Sequence, residues 1–123
     1  MEKIKVLIAD DHRVVREGLA AILKTKDDIN VVGEAQDGVE AVEKTKTLMP
    51  DVILMDVSMP RMGGIEATRQ IKREFPHMGI VALTMYEEQQ YIFDLVRAGA
   101  TGYLLKDSES SQIVAAIRAI YRG

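Results

Sequence analysis

The apolar run that opens this chain, VLIADDHR at residues 6 to 13, ends on two adjacent carboxylates, Asp10 and Asp11. At ~4 Å and an effective dielectric of about 20, two such charges oppose each other by about 4 kcal/mol. A counter-charge is therefore expected. Paired carboxylate oxygens suit a hard divalent cation, and Mg2+ in particular takes one or two carboxylates together with waters and phosphate oxygens. Three more residues stand at the ends of later apolar runs: Asp56 after VILM, Thr84 after IVAL and Lys106 after YLL. A carboxylate placed to attack in line, a metal and an ammonium to neutralise oxygens, and a hydroxyl to donate a hydrogen bond are the parts that phosphoryl transfer needs.

These residues can meet only if the elements before them line up. Residues 4 to 9, 29 to 34, 51 to 55, 80 to 84 and 102 to 105 read as short apolar or β-branched runs, the pattern of parallel strands covered on both faces. A helical period follows each. Val14, Val15, Leu19, Ile22 and Leu23 define the stripe of a first helix; Val39 and Val42 begin a second that Pro50 closes. Ile65, Thr68, Ile71 and Phe75 line a third, ended by Pro76. Ile92, Leu95 and Val96 mark a fourth that Gly99 can cap, with Tyr91 and Phe93 flanking it, and Ile113, Val114, Ile117, Ile120 and Tyr121 a fifth. Strict alternation predicts an α/β fold, a flavodoxin-like doubly wound five-stranded parallel sheet in the order 2-1-3-4-5 with five helices. In that order ligands bind beyond the C-terminal strand ends, beside strands 1 and 3. The five candidate residues all fall at those ends.

The totals agree with one domain over residues 1–123. The chain is 47% hydrophobic and 28% charged, with 3 prolines and no cysteine, which describes a globular core without disulfides or thiolate metal sites. The net charge of -3, from 16 Lys+Arg against 19 Asp+Glu, gives no footprint for direct nucleic-acid binding by this domain. No apolar run approaches a membrane span, and MEKIK at the start holds no apolar signal region, so no membrane association and a cytoplasmic location are expected.

Each candidate also has a plain explanation. Asp11 fits as the N-cap of the first helix, Asp56 as a turn residue, Thr84 as a β-former and Lys106 as a solvated strand end. Asp10 has no such explanation, and the joint placement favours chemistry. His12 and His77 stand alone in polar stretches and are assigned to no metal.

The acidic pair in DDHR, DVSMPRMGG at 56 to 64, Thr84 and GYLLKD at 102 to 107 resemble a response-regulator receiver domain of two-component signalling, over the whole chain. The resemblance implies that Asp56 accepts a phosphoryl group from a sensor histidine kinase. It implies that Asp10, Asp11, Asp56 and the backbone carbonyl of Ser58 hold Mg2+, and that Thr84, Tyr103 and Lys106 sense the phosphoryl group. Such a domain catalyses its own modification without being a free enzyme. DDHR, LTMY and LLKD are further similar to the branch that precedes a LuxR-type helix-turn-helix. A C-terminal DNA-binding output domain absent from this chain, control of transcription, and a homodimer formed on phosphorylation through helices 1 and 5, with helix 4, strand 5 and helix 5 as the rival surface, are the corresponding expectations. Near the site, Met85 is expected to narrow the entrance, Asp107 to alter the loop after strand 5 where many receivers have proline, and Ser58 and Tyr86 to slow hydrolysis.

Two rival chemistries are weaker. A hydrolase of the haloacid-dehalogenase kind places a second aspartate two positions after its nucleophile, where this chain has Ser58. A flavin or nucleotide module wants a glycine- or hydroxyl-rich loop after strand 1, where ADDHR presents negative charge.

Overall fold

A computed structural model describes residues 2–85 and 89–123. Strands β1 (Ile4–Ala9), β2 (Ile29–Ala35), β3 (Val52–Asp56), β4 (Gly79–Thr84) and β5 (Gly102–Leu105) alternate with helices α1 (Arg13–Lys24), α2 (Gly38–Leu48), α3 (Gly64–Glu74), α4 (Gln89–Ala98) and α5 (Ser110–Arg122). The sheet order is β2-β1-β3-β4-β5, with every pair parallel. This is the predicted doubly wound architecture. The central strands β3 and β4 are buried at every residue, which is why their sequences are apolar runs without alternation.

Two core layers result. On one face Val6, Ile8, Leu54 and Leu83 pack with Leu23 of α1 and Ile113 and Ile117 of α5; on the other, Leu7, Ile53 and Ile80 pack with Ala41 of α2 and Ala67 and Ile71 of α3. A smaller cluster of Val57, Ala82 and Leu95 seats α4. Register slips once, between Val6 and Leu7, where β2 carries an extra residue and Leu7 pairs with Gly33.

Helix ends follow the local chemistry. Asp37 caps α2 by accepting the Glu40 N–H at 2.8 Å. Gly99, at φ +103, ends α4 in the paired arrangement of Gly99 N–H to Val96 O and Ala100 N–H to Leu95 O, both 3.0 Å.

Three expectations change. Val14 is 81% exposed because it lies nine residues from buried Leu23, about two and a half turns away, and so on the opposite face of α1. Ile22 is likewise turned outward, and the inward row is Leu19, Ala20 and Leu23. On α4, Leu95 and Ala98 face the core while Val96 is exposed. The flanking aromatics divide: Tyr91 packs on the Leu95 cluster, whereas Phe93 is exposed with the Arg97 guanidinium 5.6 Å from its ring centroid.

Candidate functional site

The C-terminal ends of β1, β3 and β4 bring Asp10, Asp56 and Thr84 together as buried polar residues, at 1%, 3% and 1% exposure. Lys106, just beyond β5, reaches in from the side. Its Nζ lies 3.0 Å from Asp10 Oδ2 and 3.1 Å from Asp56 Oδ1, one ammonium between two carboxylates. The Lys106 N–H donates to Thr84 O at 2.9 Å, which ties the lysine's backbone to the end of β4.

Charge is not balanced within this group. Asp10 Oδ1 accepts the His12 backbone N–H at 2.9 Å, while Asp56 Oδ1 accepts the Ser58 N–H at 3.4 Å. Asp56 Oδ2 is buried with no hydrogen-bond partner among the described residues, and Asp10 Oδ2, equally buried, is met by the Lys106 ammonium. Burial, and after it the Asp10 charge, push the Asp56 carboxyl up to about 6. Burial pulls the Lys106 ammonium down, yet its contacts with Asp10 and Asp56 outweigh that and hold it above the ordinary lysine range.

Asp11 sits at the rim with its side chain 29% exposed. It does not cap α1: that position belongs to His12, whose side chain makes no cap hydrogen bond. The plain explanation for Asp11 is thereby removed. Ligand atoms of Asp10, Asp11, His12 and Asp56 all lie within 4.8 Å of one another, a spacing that one cation can span. Asp56 Oδ2, without a hydrogen-bond partner among the described residues, and Asp10 Oδ2, which has lone-pair capacity beyond its Lys106 ion pair, fit a cation here.

Of the other predicted residues, Ser58 is exposed in the loop after β3. Tyr103 is 45% exposed on β5, two residues before Leu105, the register partner of Thr84. Met85 is 71% exposed, and Asp107 is an exposed turn residue after Lys106. Tyr86 lies outside the described residues.

Three residues that the sequence reading passed over also shape the site. Arg16 turns inward from α1 and donates to the Asp10 carbonyl at 2.7 Å and to Glu34 Oε1 at 3.2 Å. His12, assigned to no metal from its sequence context, stands within the acidic cluster. Arg61 holds φ +63 and donates its Nε–H to Asp37 Oδ2 at 2.9 Å, and Gly38 N–H donates to Met62 O at 2.9 Å, so the Ser58 loop is pinned to the start of α2. The Arg61 guanidinium, and then the Glu40 N–H, hold the Asp37 carboxyl below the usual carboxylate range. Helical spacing on α1 from Arg16 to Ala20 and Leu23 was the available signal for Arg16, and adjacency to Asp10 and Asp11 that for His12; nothing local marked Arg61.

Comparison with known proteins agrees with this geometry. Residues 6–118 match the model of the response regulator receiver domain. The oxygen regulatory protein NreC of Staphylococcus carnosus is 47% identical over 98% of this chain and 56% of its own length, so the chain spans about half of that relative. The signal receiver domain of the putative response regulator NarL from Mycobacterium tuberculosis superposes with a TM-score of 0.96 at 35% identity, covering 100% of this chain and 99% of that one. A LuxR-family two-component response regulator from Aurantimonas sp. SI85-9A1 gives 0.94 at 35% identity, covering 99% and 87%. The family match begins inside β1 and runs into α5, across the whole sheet and every helix that flanks it, and the chain therefore belongs to the receiver-domain family of two-component response regulators, in the branch with LuxR-type relatives.

Proposed function

We propose that Asp56 is the phosphoacceptor of this receiver and that a phosphohistidine of a sensor histidine kinase is its donor. The observation that carries the reading is the buried pair Asp10 and Asp56 sharing one Lys106 at the C-terminal sheet edge, with Asp56 Oδ2 left without a partner among the described residues. An Asp56 oxygen attacks phosphorus as the phosphorus–nitrogen bond of the donor breaks, leaving an acyl phosphate on the protein and a neutral histidine on the donor. Lys106 is placed to neutralise a phosphoryl oxygen, and Thr84 to donate its hydroxyl to another. Asp10, Asp11, Asp56 and the Ser58 carbonyl would hold Mg2+, which supplies charge neutralisation at the transferring oxygens when bound. The protein modifies itself and does not turn over a free substrate.

The switch is read through Thr84 and Tyr103, with self-association through α1 and α5 as the output of this domain. Ala115 and Ala119 are exposed on α5 and leave its outer face low enough for a second copy to approach. Dynamic light scattering with beryllofluoride should report a dimer, and a monomer at all concentrations would remove this surface from the reading. Because the NreC-type relatives extend well beyond the matched region, a DNA-binding output domain and control of transcription are proposed for the full-length protein, acting in the cytoplasm. No helix of the described residues is long and apolar enough to cross a membrane.

The test is intact-mass analysis after incubation with acetyl phosphate and Mg2+. One added phosphoryl group, absent from Asp56→Asn, is expected. Modification that persists in that variant would move the acceptor elsewhere.

A further inference from the structure

We propose that His12 is a nitrogen ligand of the metal centre and gives it a preference for borderline first-row transition ions over Mg2+. This rests on the reading of Asp10, Asp11 and Asp56 as cation ligands and extends it. His12 Nδ1 lies 3.2 Å from Asp11 Oδ1 and 3.4 Å from Asp10 Oδ1. In an octahedron with bonds of about 2.1 Å, neighbouring ligand atoms stand about 3.0 Å apart and opposite ones about 4.2 Å. The cluster, with all four ligand atoms within 4.8 Å, reaches that arrangement by contracting a few tenths of an ångström.

The ring is also free to serve. As N-cap of α1, His12 uses its backbone and not its side chain, and its N–H donation to Asp10 Oδ1 roots the residue against the carboxylate. The imidazole stands at the outer side of the cluster, its side chain 68% exposed, while the Asp10 and Asp56 side chains beside it are buried. Asp10 and Asp56 supply the inner ligands and His12 an outer one. Imidazole adds little for Mg2+, which selects oxygen, but suits Co2+, Ni2+ and Zn2+, borderline ions that take nitrogen donors readily. A receiver site that holds Mg2+ through oxygen ligands becomes, with this imidazole, a site that discriminates between metals.

Untagged protein titrated calorimetrically with Mg2+ and separately with Co2+ tests this, alongside His12→Ala, Asp11→Ala and His77→Ala. The parent should bind Co2+ more tightly than Mg2+. His12→Ala should lose roughly 10- to 100-fold in Co2+ affinity while Mg2+ affinity stays within about twofold; Asp11→Ala should weaken both, and His77→Ala neither. The Co2+ form should also show a hyperfine-shifted imidazole proton that disappears in His12→Ala. Unchanged Co2+ affinity in His12→Ala overturns the proposal and leaves the carboxylate site standing. Equal losses for both ions would make His12 a support of the loop and also overturn it. Failure of the parent to bind Mg2+ at all would instead refute the carboxylate reading on which it rests.

Discussion

Replacing the acidic side chain at the centre of the site should stabilise the metal-free protein, even though it removes the proposed acceptor. Burial first, and the Asp10 charge second, raise the Asp56 carboxyl from 3.8 to about 6, against the opposing pull of Lys106 and the Ser58 N–H. A carboxyl raised in this way binds its proton more tightly folded than unfolded. Its contribution to stability is therefore complete below about 3.8 and is lost as pH rises through about 6. A displacement of about two pH units, at about 1.4 kcal/mol each, makes the loss about 3 kcal/mol at neutral pH. Asp56→Asn resembles the protonated acid in shape and charge and keeps what ionisation removes, although it gives up the charge-assisted Lys106 contact, so a net gain of ~1–2 kcal/mol is expected. Urea unfolding of both proteins in EDTA at about pH 7.5 measures it. The difference should close near pH 4, and excess Mg2+ should narrow it at pH 7.5 by binding the native parent. An Asn variant no more stable than the parent at pH 7.5, or a gap indifferent to pH, would refute the assignment of Asp56 as a carboxylate held under electrostatic stress.

Three further outcomes follow from individual contacts. Arg61→Ala keeps a left-handed backbone that alanine disfavours and loses the Asp37 pair, so its urea midpoint should report a loss of ~1–2 kcal/mol, whereas Arg61→Gly relieves the backbone and should lose about half as much. Gly64→Ala places a Cβ 2.0 Å from the Asp56 carbonyl oxygen, a backbone atom that cannot step aside, and thermal melts should show a loss of about 3 kcal/mol or more. Thr68 carries a fully buried hydroxyl without a hydrogen-bond partner among the described residues, so Thr68→Val should raise stability by about 1 kcal/mol, read from the shift in unfolding midpoint.

The sheet was legible because its strands are short apolar runs separated by helical periods, and a parallel sheet wound on both sides leaves few orders to choose from. Strand limits moved by only a residue or two: Asp56 proved to be the last residue of β3 and Ala35 the last of β2. Helix faces were less secure where hydrophobic residues outnumber the inward positions. On α1 the expected stripe held five residues, and the helix kept Leu19 and Leu23 of them and added Ala20, a row that also turns Arg16 toward the site. A periodicity that counts every apolar residue alike cannot tell that Val14 is surplus to the core, because packing against β1 and β2 selects the row.

At the site the same division holds, and its cause is reach. Asp10, Asp56 and Thr84 could be placed from the sequence because each ends a strand, and strand ends in this sheet order have a fixed location before any side chain is considered. Lys106 extends that logic by one residue, since its backbone is fixed by Thr84 O and its side chain has only the acidic pair to meet. Arg61 meets Asp37 across two loops, in a backbone conformation that a non-glycine residue rarely adopts. Such a partner is decided by where the chain crosses itself, and no local pattern encodes it. His12 lies between these cases: its neighbours Asp10 and Asp11 were known to be at the site, but a cap and a ligand differ only in which way the ring turns. The extended backbone at His12, together with its N–H bond to Asp10 Oδ1, turns it toward the carboxylates, so a histidine that the sequence shows standing alone in a polar stretch joins the outer wall of the acidic cluster.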